Sequence, residues 1–165
     1  MLHKLTSFMT IGVTALPVDV ETGVIATSVD SKFFIVGLGD TAVQESKERV
    51  IMAIKSSGYH FPFGRRTNIN LAPAHLKKTG SRFDLAISIG ILLGNETIEV
   101  ERSILEETAF IGELAFDGSL RHVTGVLACA MECKRRGIRK LFVPSVNAAE
   151  DALVPGLEVV SVSRL

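Results

Sequence analysis

The sequence predicts one α/β (α+β) domain, a mixed sheet packed against helices, and three observations carry that prediction. The first third is rich in β-branched and aromatic residues broken by turn formers. The last third alternates helical periodicity with short apolar runs. Between them, Thr67 to Gly94 places an alternating strand directly before a helix that is apolar nearly all round.

Taken in order, Ser7 to Leu16, Val18 to Ser28 and Lys32 to Leu38 read as a meander of strands, interrupted at Pro17 and at Val29-Asp30-Ser31. Gly37-Leu38-Gly39-Asp40 closes the third strand and opens a helix capped by Asp40 or Thr41. Val43, Val50, Ile51 and Ile54 share one face of that helix, Lys47 and Glu48 lie on its wet side, and Gly58 stops it. Ile69 and Leu71 alternate with Asn68 and Asn70 as a half-buried strand, which Pro73 ends because it cannot donate to a ladder. A polar loop with Lys77, Lys78 and Gly80 follows. Phe83 to Leu93 then forms the core helix, with Ser81 expected as N-cap and Asp84 completing a capping box.

Asn95 to Thr108 reads as a connection with one helical turn over Ser103 to Glu107. Ala109 to Leu114 reads as a strand, and Asp117-Gly118 as a turn into Ser119 to Val123. Thr124 to Arg136 is a helix whose cationic end, Lys134, Arg135 and Arg136, answers its dipole before Gly137. Leu141 to Val143, a short helix over Asn147 to Leu153, and a strand at Val159-Val160 complete the chain.

At 165 residues the chain is long enough for one domain with a real core. Its formal charge of zero argues against a strongly polyanion-seeking domain. Cys129 and Cys133, four apart on one helix, suit neither a disulfide nor a zinc site and are expected to be reduced and structural. With no signal segment and no run of 18 apolar residues, a soluble cytoplasmic protein away from the membrane is expected.

Gly37 and Gly39 flank a strand-to-helix junction, but the third glycine of a dinucleotide fingerprint is missing, so a tight turn is the better account. GxxxxGK[ST], GxSxG and HExxH are all absent. His3, His60, His75 and His122 have no metal-ligand spacing, and no metal site is expected. Glu113 could serve as an acid or base but has no nucleophile beside it in sequence. Two basic groups stand out. Lys134, Arg135, Arg136, Arg139 and Lys140 end a helix; Arg65, Arg66, Lys77, Lys78 and Arg82 flank the central strand. Their ordinary roles are dipole compensation and loop solvation, and their functional alternative is contact with nucleic-acid phosphates.

The run INLAPAHLKKTGSRFDLAISIGILL resembles the N-terminal domain of the ComM/YifB group of Mg-chelatase-like AAA+ ATPases, in which this place reads like NLAPADLPKEGSRFDLPIAI. Phe34 to Asp40 is similar to the family's VGLPD-type turn, with Gly39 replacing the usual proline. Glu48-Arg49-Val50 and Ser57-Gly58-Tyr59 match its first helix. Phe110 to Leu114 and Asp117 to Arg121 are similar to its GELxLDGxLR segment.

The resemblance implies a ribosomal protein S5 domain 2-like fold, shared with the Lon protease domain and with the C-terminal domain of RadA. Lon-type proteases use a Ser–Lys dyad with the serine in a Lys-Asp-Gly-Pro-Ser-Ala-Gly loop. Laid on this sequence, Gly80 takes the glycine's place, Ser81 the proline's and Arg82 the nucleophile's, while the dyad lysine falls near Leu127. Leucine cannot take a proton from a nucleophile, so no catalytic residue is assigned. A displaced dyad would require Ser81 to meet Lys134, since no lysine occurs between Lys78 and Lys134.

The expected function is therefore a non-catalytic accessory domain of a hexameric ATPase that acts on DNA in recombination and natural transformation. Its partners would be a downstream AAA+ motor, further copies of itself and DNA. ATP and Mg would belong to that motor, with no cofactor in this chain. Lys77, Lys78, Arg82, Arg65 and Arg66 are the expected DNA contacts. The competing readings are a Ser–Lys peptidase and a stand-alone binding module ending at Leu165; the strand-like end slightly favours a longer parent chain.

Overall fold

The computed structural model describes residues 2–27, 32–147 and 154–165. Among them, nine strands and four helices follow in the order β1 (Leu2–Ile11), β2 (Thr14–Ala26), β3 (Lys32–Val36), α1 (Thr41–Ser56), β4 (Arg65–Ala72), α2 (Asp84–Gly94), α3 (Arg102–Glu106), β5 (Thr108–Phe110), β6 (Glu113–Leu114), β7 (Leu120–Arg121), α4 (Val126–Arg136), β8 (Lys140–Pro144) and β9 (Glu158–Val162). The expected turn at Val29-Asp30-Ser31 lies outside the described residues, as does nearly all of the expected helix over Asn147 to Leu153.

Seven strands form one mixed sheet in the order β3-β4-β2-β1-β5-β8-β9, while β6 and β7 make a separate ribbon. Only β2 runs against its neighbours; β3 with β4, β1 with β5, β5 with β8 and β8 with β9 are parallel. The α/β class and the mixed sheet are those the sequence predicts. Helices α1 and α2 cover one face, burying Val43, Val50, Ile54, Ile87 and Ile91 against Leu5, Val20, Ile69 and Leu71. Helix α4 covers part of the other, where Phe8, Ala15, Leu141 and Val143 meet Val126, Cys129 and Cys133. The steps β3-α1-β4 and β5-α4-β8 join parallel neighbours in the same direction across the sheet. Because their helices lie on opposite faces, the two crossovers have opposite hands, so one departs from the usual right-handed rule.

Three element boundaries differ from expectation for physical reasons. Pro17 lies inside β2, opposite Phe8, and the hairpin turns instead between Ile11 and Thr14. Pairing of β2 with β4 starts only at Asp19, so the proline's missing N–H falls where one side of the strand has no ladder. The run Ala109 to Leu114 splits after Phe110 into β5 and β6, which belong to different sheets.

The start of the core helix is also different. Phe83 occupies the N-cap position and no side chain caps α2. Asp84 is fully buried instead and takes Ser46 Oγ at 2.5 Å, Arg49 Nε at 2.6 Å and the Leu114 N–H at 3.2 Å. A charged partner outcompetes a local cap here because it neutralises a carboxylate that the apolar surroundings would otherwise penalise. Burial pushes the Asp84 carboxyl upward, and Arg49, Ser46 and the Leu114 amide pull against that rise.

Asp84→Ala leaves Arg49, only 16% exposed, without its carboxylate. It is expected to destabilise the fold by about 3–5 kcal/mol in urea unfolding. Asp84→Asn should cost less because its one carbonyl oxygen can still accept from the Leu114 N–H while the Ser46 hydroxyl can turn to accept from its amide.

Candidate functional site

The loop before α2 and the start of α4 meet at the position where the resemblance lays a Ser–Lys dyad. Arg82 Nη2 donates to the Thr124 carbonyl at 3.0 Å and its hydroxyl at 3.2 Å, two residues before α4 begins. Arg82 and Leu127 are thus brought to the same corner, with a guanidinium and an exposed leucine side chain standing in the two dyad places. Neither can act as a nucleophile or as a base at neutral pH.

Ser81 does not cap a helix; its hydroxyl donates to Glu113, whose other oxygen lies 4.0 Å from Arg121 Nε. This joins the loop to the β6–β7 ribbon. Lys134 is exposed in the last turn of α4, eight residues beyond Val126, which corresponds to about 12 Å of helix rise. A displaced Ser81–Lys134 dyad has no support in this arrangement.

Lys78 corrects the expected set of DNA contacts. It is fully buried, and its ammonium donates to the Gly37 carbonyl at 2.8 Å and to the Pro73 carbonyl. Burial lowers its pKa from the ordinary lysine value. Its backbone is tied as well: Lys78 N–H donates to Leu38 O at 2.9 Å, and Asp40 N–H donates to Lys78 O at 3.0 Å. Asp40 has two jobs, capping α1 through Val43 N–H at 2.9 Å and accepting Gly80 N–H at 3.1 Å. Gly37 is required here because a Cβ would stand 2.1 Å from the Leu71 carbonyl oxygen. The glycine turn is therefore filled by its own chain. A lysine so held fastens loops and is not available to a phosphate.

The remaining cations separate into distinct surfaces. Arg65 and Arg66 are exposed at the start of β4, beside Lys32 at the edge of the sheet. Lys77 is exposed beyond the other end of β4, which six strand residues place about 20 Å from Arg66. Arg82 is committed to Thr124. In the second group, Arg135 and Arg136 grip Glu132 at 2.7 Å each, Arg139 faces Glu107 and Lys140 faces Glu158. Those hydrogen bonds from Arg135 and Arg136 push Glu132 down to about 2. Dipole compensation and ion pairing account for that group.

His60, His75 and His122 are exposed, while His3 is half-buried in β1 and its pKa is lowered by burial and the terminal amine. Cys129 and Cys133 are buried and form no disulfide, and burial pushes the Cys133 thiol up to about 12. No group of three metal-ligating side chains occurs among the described residues. Among them no helix is long and apolar enough to cross a membrane.

Sequence reasoning missed Ser46 and Arg49, whose meaning depends on Asp84, 38 and 35 residues away. Their one legible signal was a polar side chain on the buried face of α1.

Two measurements follow from these contacts. Lys78→Met strands two carbonyls and should destabilise the chain by about 1–3 kcal/mol in thermal unfolding, whereas Lys77→Met should be neutral. Glu132 has a depressed folded pKa, so its contribution is present above the ordinary 4.5 and fades as pH falls toward about 2. Glu132→Gln should flatten that part of the acid-unfolding curve and leave stability above pH 6 little dependent on pH.

Residues 20–147 match the family described as subunit ChlI of Mg-chelatase. The chain is 40% identical to protein YifB of Salmonella typhimurium over 144 residues, covering 87% of this chain and 27% of that protein. It is 39% identical to YifB of Escherichia coli over 150 residues, covering 88% and 28%. It is 39% identical to competence protein ComM of Haemophilus influenzae over 122 residues, covering 74% and 23%. The chain thus spans about a quarter of the length of these curated relatives. With the match running from β2 to the end of β8 and beyond, the chain belongs to the ComM/YifB family of Mg-chelatase-like AAA+ ATPases and carries its ChlI domain.

Proposed function

We propose that this chain is a non-catalytic accessory domain of an ATP-driven, DNA-acting machine. The observation that carries the reading is the corner where Arg82, bound to Thr124, and Leu127 stand in place of a nucleophile and its base. A corner that offers neither a nucleophile nor a base suits a platform. The Haemophilus relative is a competence protein, which supports DNA as the polymer handled.

In this reading, ATP and Mg are used by an AAA+ motor in the part of the parent protein that this chain does not span, in a homo-oligomer such as a hexamer. The domain contributes assembly contacts or DNA contacts. Arg65 and Arg66 are the strongest of the expected contacts, since both are exposed and no carboxylate pairs with them among the described residues. Lys77 is a second, separate point of contact. Phosphate contacts of this kind weaken steeply with salt.

The test is duplex and single-strand binding by the chain at low and moderate salt. Arg65→Glu with Arg66→Glu should reduce affinity for both forms at least ten-fold and make the salt slope shallower. Unchanged affinity in that variant and in Lys77→Glu would remove DNA contact from the domain. Peptide cleavage is expected neither in the native chain nor in Ser81→Ala.

A further inference from the structure

Strand alternation sorts the sheet into two faces, and one of them is covered only in part. Opposite α1 and α2, the face carries Lys32, Phe34 and Val36 from β3, Arg66, Asn68 and Asn70 from β4, and Glu21 and Ile25 from β2. Helix α4 covers β1, β8 and the start of β2 around Ala15 on this face, and leaves β3, β4 and the far end of β2 open. Phe34 is 36% exposed and both Val36 and Ile25 are 56% exposed.

Resting on the DNA-contact reading above, we infer that this open face is a stacking platform for single-stranded nucleic acid, centred on Phe34 and Arg66. The Arg66 guanidinium lies 4.9 Å from the Phe34 ring centroid, and its Nε donates to Asn68 Oδ1 at 3.1 Å. The second bond fixes the guanidinium on the ring, so two π-surfaces stand together on a flat floor. Bases stack readily on phenyl rings and guanidinium planes. The Asn68 side-chain amide is left with free donors for a base edge.

Charge selects the occupant. Lys32 stands beside Arg66 in the parallel register, Arg65 is exposed next to it, and none of the three has a carboxylate partner among the described residues. Asp19 and Glu21, the acids that β2 places on this face, are both engaged, Asp19 by Lys4 at 2.7 Å and Glu21 by the Asn70 amide at 2.8 Å. Three such cations, against two carboxylates already engaged, suit a phosphodiester chain running past the sheet edge. Duplex DNA offers phosphates to those cations but keeps its base faces stacked inside, so only an unpaired strand uses Phe34.

The decisive experiment compares the native chain, Phe34→Ala, Phe34→Trp and Arg65→Glu/Arg66→Glu, each checked for native circular dichroism. The probes are a fluorescent oligothymidine and a hairpin duplex of equal charge. The platform predicts that Phe34→Ala raises Kd for the oligothymidine about ten-fold and leaves the duplex within two-fold. Phe34→Trp should keep or tighten single-strand binding, and the charge reversal should weaken both probes. If Phe34→Ala leaves oligothymidine binding unchanged while charge reversal weakens it, the contact is through phosphates alone and the platform is overturned. If neither variant affects DNA but Phe34→Ala shifts the molar mass in light scattering, the face is a protein interface, and the inference and the DNA-contact reading fall together.

Discussion

The fold depends on one buried carboxylate. Asp84 opens the helix at the centre of the larger core, and its donors come from two other elements, Ser46 and Arg49 of α1 and the backbone of β6. Hydrophobic burial alone would let α1 slide or rotate over α2, because apolar contact has no direction. Hydrogen bonds to a fixed charge do have direction, and they admit one register. Replacing such a pair with apolar residues often costs little, so its value lies in defining the arrangement more than in adding net stability. Arg49 further donates to the Ala42 carbonyl at 2.8 Å, which relates the pair to the first turn of its own helix.

A second clamp sets the loops that the first leaves open. Leu38 holds a left-handed φ of 59°, a conformation unfavourable for a leucine. The ties from Lys78 to Leu38 O, Gly37 O and Pro73 O, together with Asp40 to Gly80, over-determine that turn and maintain it. The loop leading to Arg82 is thereby fixed at both ends, by Lys78 and by Thr124. This resembles the preorganisation of an active site, yet the groups so positioned are a guanidinium, a leucine and a serine already occupied by Glu113.

The parts of this structure legible in the sequence are those governed by period and local chemistry. The alternation of Ile69 and Leu71, the apolar girth of α2, the Asp40 cap and the Gly137 stop each follow from a few neighbouring residues. What sequence could not reveal are the long-range polar pairs. Nothing near Lys78 distinguishes it from Lys77, although one is buried on carbonyls and the other is exposed, because the difference is made by Gly37 forty-one residues earlier. Asp84 was readable as a first-turn acid, but its partners lie on α1. The basic residues also looked like one group, and the length of β4 divides them.

That division bears on how such a domain could work beside a motor. Lys77 lies past one end of β4 and Arg65 and Arg66 at the other, with the strand itself a rigid spacer between them. A polymer contacting both would have to follow the sheet for about 20 Å, the length of six strand residues. The open face along that path carries Phe34 with Arg66, then Asn68 and Asn70, and its floor cannot deform because the opposite face is packed against α1 and α2. A rigid floor favours a flexible ligand, since the partner that can adapt its backbone pays less in strain when it conforms to a fixed set of contacts. An unpaired strand satisfies that condition and a duplex, with its long persistence length, does not.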